Sequence, residues 1–308
     1  MHIVSLLPST TEILFAVGAG EDVAGVTFEC DFPPQARSRR IVSTSTLTGG
    51  LTARQIDAQV RERLDAGEDL YRLDEGALRD LDPDLILTQD LCAVCAVDVG
   101  NVDAAMDYLG CDAKVLTVDP GTLAEVLASV VTVGAATGHE KDAQLVATGL
   151  RSRLEWVAGA VADRARPRVA VVEWTDPPFT AGHWVPDMVA AAGATPVLGR
   201  SGDRSEQTTW QDIAGSDPDI VVVAPCGYGL DSAARLATDA CTAGHLLEGM
   251  PVWAVDANAT FARPGPRLVD GVEALASICH PGAVPARTDL AAMVSPAVGT
   301  PDQSGPAR

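Results

Sequence analysis

The sequence predicts an α/β protein: two halves that each hold a parallel sheet, with one long helix between them. Three observations carry this. Short apolar runs alternate with amphipathic stretches through both halves, the pattern of βαβ units with right-handed crossovers. The run "PDLILTQD" is continuously apolar at its centre, as in a strand covered on both faces. Between the halves, Ala143, Val146, Leu150, Leu154, Val157 and Val161 recur every three or four residues. That spacing describes an amphipathic helix over about 139–164, roughly 39 Å long at 1.5 Å per residue.

The elements follow in order. "HIVSLLPSTTEILFAVGAG" reads as strand, turn and helix, with Ser9 and Glu12 as a capping box and Gly18 or Gly20 as the stop. "EDVAGVTF" is a second strand, halted by Pro33-Pro34, and "RIVST" a third. "PDLILTQD" and "AKVLTVD" are the fourth and fifth. Helices are expected near 52–65 (with Thr52 and Gln55 as its capping box), 74–81 and 99–110. In the second half the strands are "RVAVVEW", "ATPVL", "DIVVVAP" and "VWAVDA", with helices near 185–192, 230–248 and 266–279. The expected organisation is an N-terminal lobe over 1–121, a linker with the long helix over 122–166 and a C-terminal lobe over 167–281. Residues 282–308, rich in Pro, Ala and Gly, read as a mobile tail.

Composition narrows the function. The 308 residues carry a formal net charge of −20, which argues against a nucleic-acid partner. Hydrophobic residues make up 47% and charged residues 21%, as in soluble globular proteins, and no apolar run is long enough to span a membrane. The N-terminus begins directly with a strand and shows no leader pattern, so with Met1 as the true start the expected location is cytoplasmic and the seven cysteines are mostly reduced thiols.

In open parallel sheets, ligands sit beyond the carboxyl ends of the strands. The residues expected there are Ser9 and Thr10; Glu29, Cys30 and Asp31; Ser43, Thr44 and Ser45; and Gln89, Asp90, Cys92 and Cys95. In the second half they are Trp174, Phe179, His183 and Trp184, then Cys226 and Tyr228, then Asn258, Phe261 and Arg263. If the two lobes face each other, these loops form one cleft. Cys30, Cys92, Cys95, Cys226 and His183 then make a candidate site for zinc, copper(I) or iron, because thiolate and imidazole suit those metals. The alternative is that they are separate small residues in a pocket wall, since one Cys-x-x-Cys is half a zinc signature. A thioredoxin-type redox pair fits less well, because Asp90 and Asp98 would raise the thiol pKa. No nucleophile elbow, phosphate-binding glycine loop or spaced acid–base pair occurs, so an enzyme ranks last.

The stretches "IVSLLPSTTEILFAVGAGEDVAGVT", "CDFPPQA", "DPDLILTQ", "PPFTAGHW" and "RPGPRLVDGVEAL" together resemble the cobalamin-binding proteins of bacterial import. These belong to the helical-backbone (class III) substrate-binding proteins, which also carry iron–siderophores and haem. The resemblance covers about residues 2–280. It implies two α/β lobes joined by one long backbone helix, and a non-catalytic protein holding cobalamin or a related metal chelate in the interlobe cleft. The matching ligand positions are Glu29, Ser45, Asp90 and Thr260, none aromatic, with Phe179, Phe261 and Arg263 nearby. The family's importer-docking carboxylates correspond roughly to Asp103 and to Gln211 or Asp212. The first is shorter than the usual Glu and the second is shifted, which argues against docking. Sequences with this cysteine-bearing "QDLCAVCAV" look like a cytoplasmic branch.

Overall fold

The computed structural model describes residues 1–68, 70–89, 113–246 and 249–295. The chain divides into two compact units. Unit 1 is Met1–Arg153 with Arg263–Pro266, and unit 2 is Leu154–Ala262 with Arg267–Arg308.

Unit 1 is built on a six-stranded sheet in the order β4-β3-β2-β1-β5-β6. The strands are β1 (Ile3–Ser5), β2 (Val23–Thr27), β3 (Arg40–Ser45), β4 (Tyr71–Leu73), β5 (Leu85–Thr88) and β6 (Lys114–Thr117). All neighbours pair in parallel except β4, which runs antiparallel to β3 at the edge. All four residues of β5 are buried, as its unbroken apolar run requires. Val4, Leu6, Val42 and Ile86 pack beneath Ala77 and Leu78 of the helix Glu75–Leu81. The helix α1 covers Pro8–Ala16, α2 is Ala53–Asp65, and Glu75–Leu81 is α3. The α2 capping box forms with both arms: Gln55 N–H donates to Thr52 Oγ1 (3.4 Å) and Thr52 N–H to Gln55 Oε1 (2.9 Å).

The Ser9–Glu12 box does not form. Pro8 occupies the first helical turn, the N-cap is Leu7, and no side chain caps the helix. The expected helix at 99–110 lies outside the described residues.

Helix α4 (Leu123–Ala136) and helix α5 (Glu140–Val161) follow. The latter is the long helix, 22 residues, with Ala143, Ala147, Leu150, Val157 and Val161 buried along one stripe. The boundary between the units falls within it, at Arg153/Leu154.

Unit 2 carries a second six-stranded sheet, β12-β11-β10-β7-β8, with β9 also paired to β7. Its strands are β7 (Arg168–Thr175), β8 (Pro178–Thr180), β9 (Thr195–Pro196), β10 (Ile220–Val223), β11 (Val252–Val255) and β12 (Ala291–Ser295). The centre is parallel, whereas β8 and β12 are antiparallel edges. Alternate residues Ala170, Val172, Val221, Val223, Val252 and Ala254 pack against Ala233 and Ala237. The latter two lie on the helix Leu230–Thr242. The helices are α6 (Val185–Ala191), α7 (Trp210–Gly215), α8 (Leu230–Thr242), α9 (Ala257–Thr260) and α10 (Leu268–Cys279). Two expectations are corrected. Helix α8 stops at Thr242, just before Gly244 at φ 72°, a left-handed position that favours glycine. The stretch after residue 282 is not a tail from its start, since β12 completes the sheet against β11.

Candidate ligand-binding site

In unit 1, the residues after β2 build a polar and aromatic end to the sheet. Phe28 and Phe32 are left 38% and 41% exposed, unusual for such large apolar rings, and Phe28 lies 6.0 Å from the Tyr71 ring. Tyr71 donates its hydroxyl to Glu29 Oε2 (3.2 Å). Burial pushes the Glu29 carboxyl above the usual range, against the opposing pull of the Tyr71 hydrogen bond and the Arg263 charge. Arg263 is itself buried. Its guanidinium pairs with Asp31, with Glu12 Oε1 (3.4 Å) and with the Glu29 carbonyl (3.1 Å). Asp31 also faces Arg37, at 4.0 Å. Two carboxylates and one backbone carbonyl thus meet one arginine.

Beneath them lies a hydroxyl network. Ser5 Oγ meets Thr10 Oγ1 at 2.7 Å, Thr11 Oγ1 donates to Ser5 Oγ (2.8 Å), and Thr11 Oγ1 lies 3.0 Å from Cys30 Sγ. Ser9 and Thr10, expected at the ligand surface, are 3% and 0% exposed. Thr10 is instead tied into the turn by bonds to Ser5 and to the Leu7 carbonyl. Ser45 is exposed on β3 and accepts from Leu47 N–H (3.1 Å). Asp90 lies outside the described residues.

In unit 2, the loops beyond β7, β8 and β10 carry the aromatic residues. Trp174, near the end of β7, pairs across to Phe179 on β8 and meets the Tyr228 ring edge-on at 5.7 Å. Glu173 accepts from Ser205 Oγ in a short hydrogen bond, which anchors the loop 199–206 to β7. That loop fixes His183. Its N–H donates to the Asp203 carbonyl (2.6 Å) and its carbonyl accepts from Gly202 N–H (3.0 Å). His183 sits at φ 51°, an uncommon left-handed conformation for a non-glycine residue. Gly199, at φ 75°, lies so close that any side chain there would run into the Ala181 carbonyl. Burial, with the Arg204 charge adding to it, pushes the His183 imidazole below its usual pKa. Two buried nitrogens, Trp174 Nε1 and His183 Nε2, have no hydrogen-bond partner. Trp184 and Phe261, expected at the ligand surface, are 7% and 2% exposed, and the Trp184 indole donates to the Phe261 carbonyl (2.7 Å). Thr260 likewise turns inward, its hydroxyl donating to the Asp256 carbonyl (2.8 Å).

A family model described as periplasmic binding protein matches residues 3–241. The chain belongs to the periplasmic binding protein family. These are binding proteins and not enzymes, and this chain is accordingly a non-catalytic solute binder. A relative from Bacillus subtilis (strain 168), the uncharacterized ABC transporter substrate-binding lipoprotein YvrC, is 25% identical over 291 residues, covering 91% of this chain and 80% of the relative. Two solved structures share the fold. A periplasmic heme-binding protein from Pseudomonas aeruginosa superimposes with TM-score 0.68 at 20% identity, over 97% of this chain and 99% of its own. The periplasmic vitamin B12 binding protein BtuF of Vibrio cholerae does so with TM-score 0.65 at 20% identity, over 90% and 95%.

The family corrects the cytoplasmic expectation. Its members are periplasmic and the Bacillus relative is a lipoprotein, which points to a location outside the cytoplasm. No helix among the described residues is long and apolar enough to cross a membrane.

The expected metal set does not assemble among the described residues, where no group of three or more His, Cys, Asp or Glu side chains is placed to hold an ion. Cys30 lies in unit 1, where burial pushes its thiol up to about 12. Cys226 and His183 lie in unit 2, with Cys226 exposed. Cys92 and Cys95 fall outside the described residues, as does Asp103. Asp212 is exposed in the first turn of α7, where its carboxylate accepts from the Thr209 hydroxyl (2.6 Å).

Sequence reading missed Phe28, Phe32 and Tyr71. The signal is in "TFECDF", two phenylalanines flanking two acids, of which the sequence reading takes Glu29, Cys30 and Asp31 as candidates and leaves Phe28 in the strand.

Proposed function

We propose that the solute is a corrinoid, cobalamin or a close relative, and that the chain serves an import route of the ABC type. The Bacillus relative's name supports the second part. The observation that carries the first is the charge of the unit 1 site. Glu29, Asp31 and Glu12 gather there, and Arg263 is already committed to Asp31, Glu12 and the Glu29 carbonyl. Haem brings two propionate carboxylates, which this arrangement repels, whereas the rim of a corrinoid is mostly neutral carboxamide. The exposed rings of Phe28 and Phe32 offer apolar contact to a large flat macrocycle.

The test is a side-by-side titration of the purified protein with cyanocobalamin, dicyanocobinamide and hemin, followed by absorbance at one ionic strength. The reading predicts at least about a tenfold preference for a corrinoid, which is about 1.4 kcal/mol. Tighter binding of hemin, with no binding of either corrinoid, refutes it.

A further inference from the structure

The two unsatisfied nitrogens of unit 2 differ in kind. An indole Nε1 is a donor and nothing else. A neutral imidazole has one nitrogen that donates and one that accepts. The lowered pKa of His183 keeps its ring neutral at physiological pH, so it retains an accepting lone pair. The orphaned Nε2 is the nitrogen that suits this role. An enclosed N–H with no acceptor is the costlier arrangement, and the other ring nitrogen is not among the buried unsatisfied atoms. Both side chains are only partly buried, although these two nitrogens are enclosed.

Both residues are also held in place. Trp174 sits opposite Phe179 in the strand ladder, and its ring meets that of Tyr228 at 5.7 Å. His183 is fixed by the hydrogen bonds of its own backbone to Asp203 and Gly202, and its ring lies 5.5 Å from that of Trp184. Buried polar atoms left unpaired are costly, and a native structure that keeps two of them in one unit calls for partners.

We propose that Trp174 and His183 read the carboxamide groups of the ligand, Trp174 donating to an amide carbonyl and His183 accepting from an amide N–H. This rests on the corrinoid reading above and adds the chemical group that is recognised. A carboxylate satisfies the indole but meets the imidazole lone pair with a second acceptor. An ester offers a carbonyl to Trp174 and nothing to His183. A carboxamide satisfies both.

The experiment compares dicyanocobinamide with dicyanocobyrinic acid heptamethyl ester. Both are uncharged corrinoids, so ligand charge does not bias the comparison. Wild-type protein is expected to bind the amide form about five- to tenfold more tightly, the size of one hydrogen bond. His183→Phe brings that ratio close to one. Trp174→Phe weakens both ligands by a similar factor and leaves the ratio. His183→Asn, which tolerates the left-handed backbone and retains an acceptor, restores part of the ratio. It also shows that any loss in the phenylalanine variant is not misfolding. An unchanged ratio in His183→Phe, or unchanged affinities in Trp174→Phe, overturns the proposal. A wild-type ratio near one overturns it too, while leaving the corrinoid reading intact. Failure of dicyanocobinamide to bind at all overturns both.

Discussion

Replacing Arg263 with methionine tests the architecture of unit 1. The arginine side chain is 9% exposed and that of Glu12 is 2% exposed, so the variant takes the cation away from a carboxylate with almost no water. Removing one partner of a buried ion pair costs about 3–5 kcal/mol, because the other charge stays buried without its counter-ion. Asp31 is 31% exposed and regains part of its hydration, which sets the figure toward the lower end. The Glu29 carbonyl loses a donor at 3.1 Å, adding about 1 kcal/mol. The expected loss is about 3–4 kcal/mol, read by urea unfolding at pH 7. A double-mutant cycle isolates the pair. Glu12→Gln combined with Arg263→Met is expected to cost at least about 1 kcal/mol less than the sum of the single changes. A loss below about 1 kcal/mol for Arg263→Met, or strict additivity in the cycle, refutes the idea that the arginine neutralises a buried acid cluster.

Other outcomes follow from the same geometry. Glu29 has a raised folded pKa, so its contribution is fully favourable below the unfolded value near 4.3 and is lost as pH rises through the folded value. Glu29→Gln, which still accepts from Tyr71, is therefore expected to stabilise the protein at pH 7 and to give no gain at pH 4 in paired thermal melts. The Cys30 thiol, pushed up to about 12, stabilises fully below the unfolded value near 8.5 and loses that stabilisation as pH climbs toward 12. The decline is about 1.4 kcal/mol per pH unit within that window, and Cys30→Ser is expected to flatten the wild-type slope between pH 8.5 and 10. An equal slope in the two proteins would contradict the burial argument. Gly199→Ala forces a side chain into the Ala181 carbonyl at a positive φ; a loss above about 1 kcal/mol is expected, together with weaker ligand binding as the His183 loop shifts.

Much of this fold was legible because its central strands and long helix announce themselves by period. The apolar run of β5 and the three-to-four spacing along α5 needed no tertiary knowledge. The Thr52 capping box was equally local, its two partners being three residues apart. Misreadings came where a distant residue decided the outcome. Glu12 looked like half of a cap, yet its carboxylate pairs with Arg263, 251 positions away, and Pro8 already starts the helix. The edge strands β4, β8 and β12 span three to five residues, too few for a period, and exist because a neighbouring strand offers its edge. The candidate site was half legible. Acids and aromatics after the strands could be named, but not which way each turned. Phe261, Trp184 and Thr10 went into the interior, whereas Phe28 and Phe32 stayed outside. The setting of His183 comes from the fold of the 199–206 loop, which no spacing in the sequence describes.

The central claim is that this chain is a corrinoid binder, and calorimetric titration with dicyanocobinamide tests it most directly. The account predicts one corrinoid per chain, a dissociation constant in the micromolar range or tighter, and a rise in the melting temperature with ligand concentration. No heat and an unmoved melting temperature at corrinoid concentrations up to about a millimolar would contradict it.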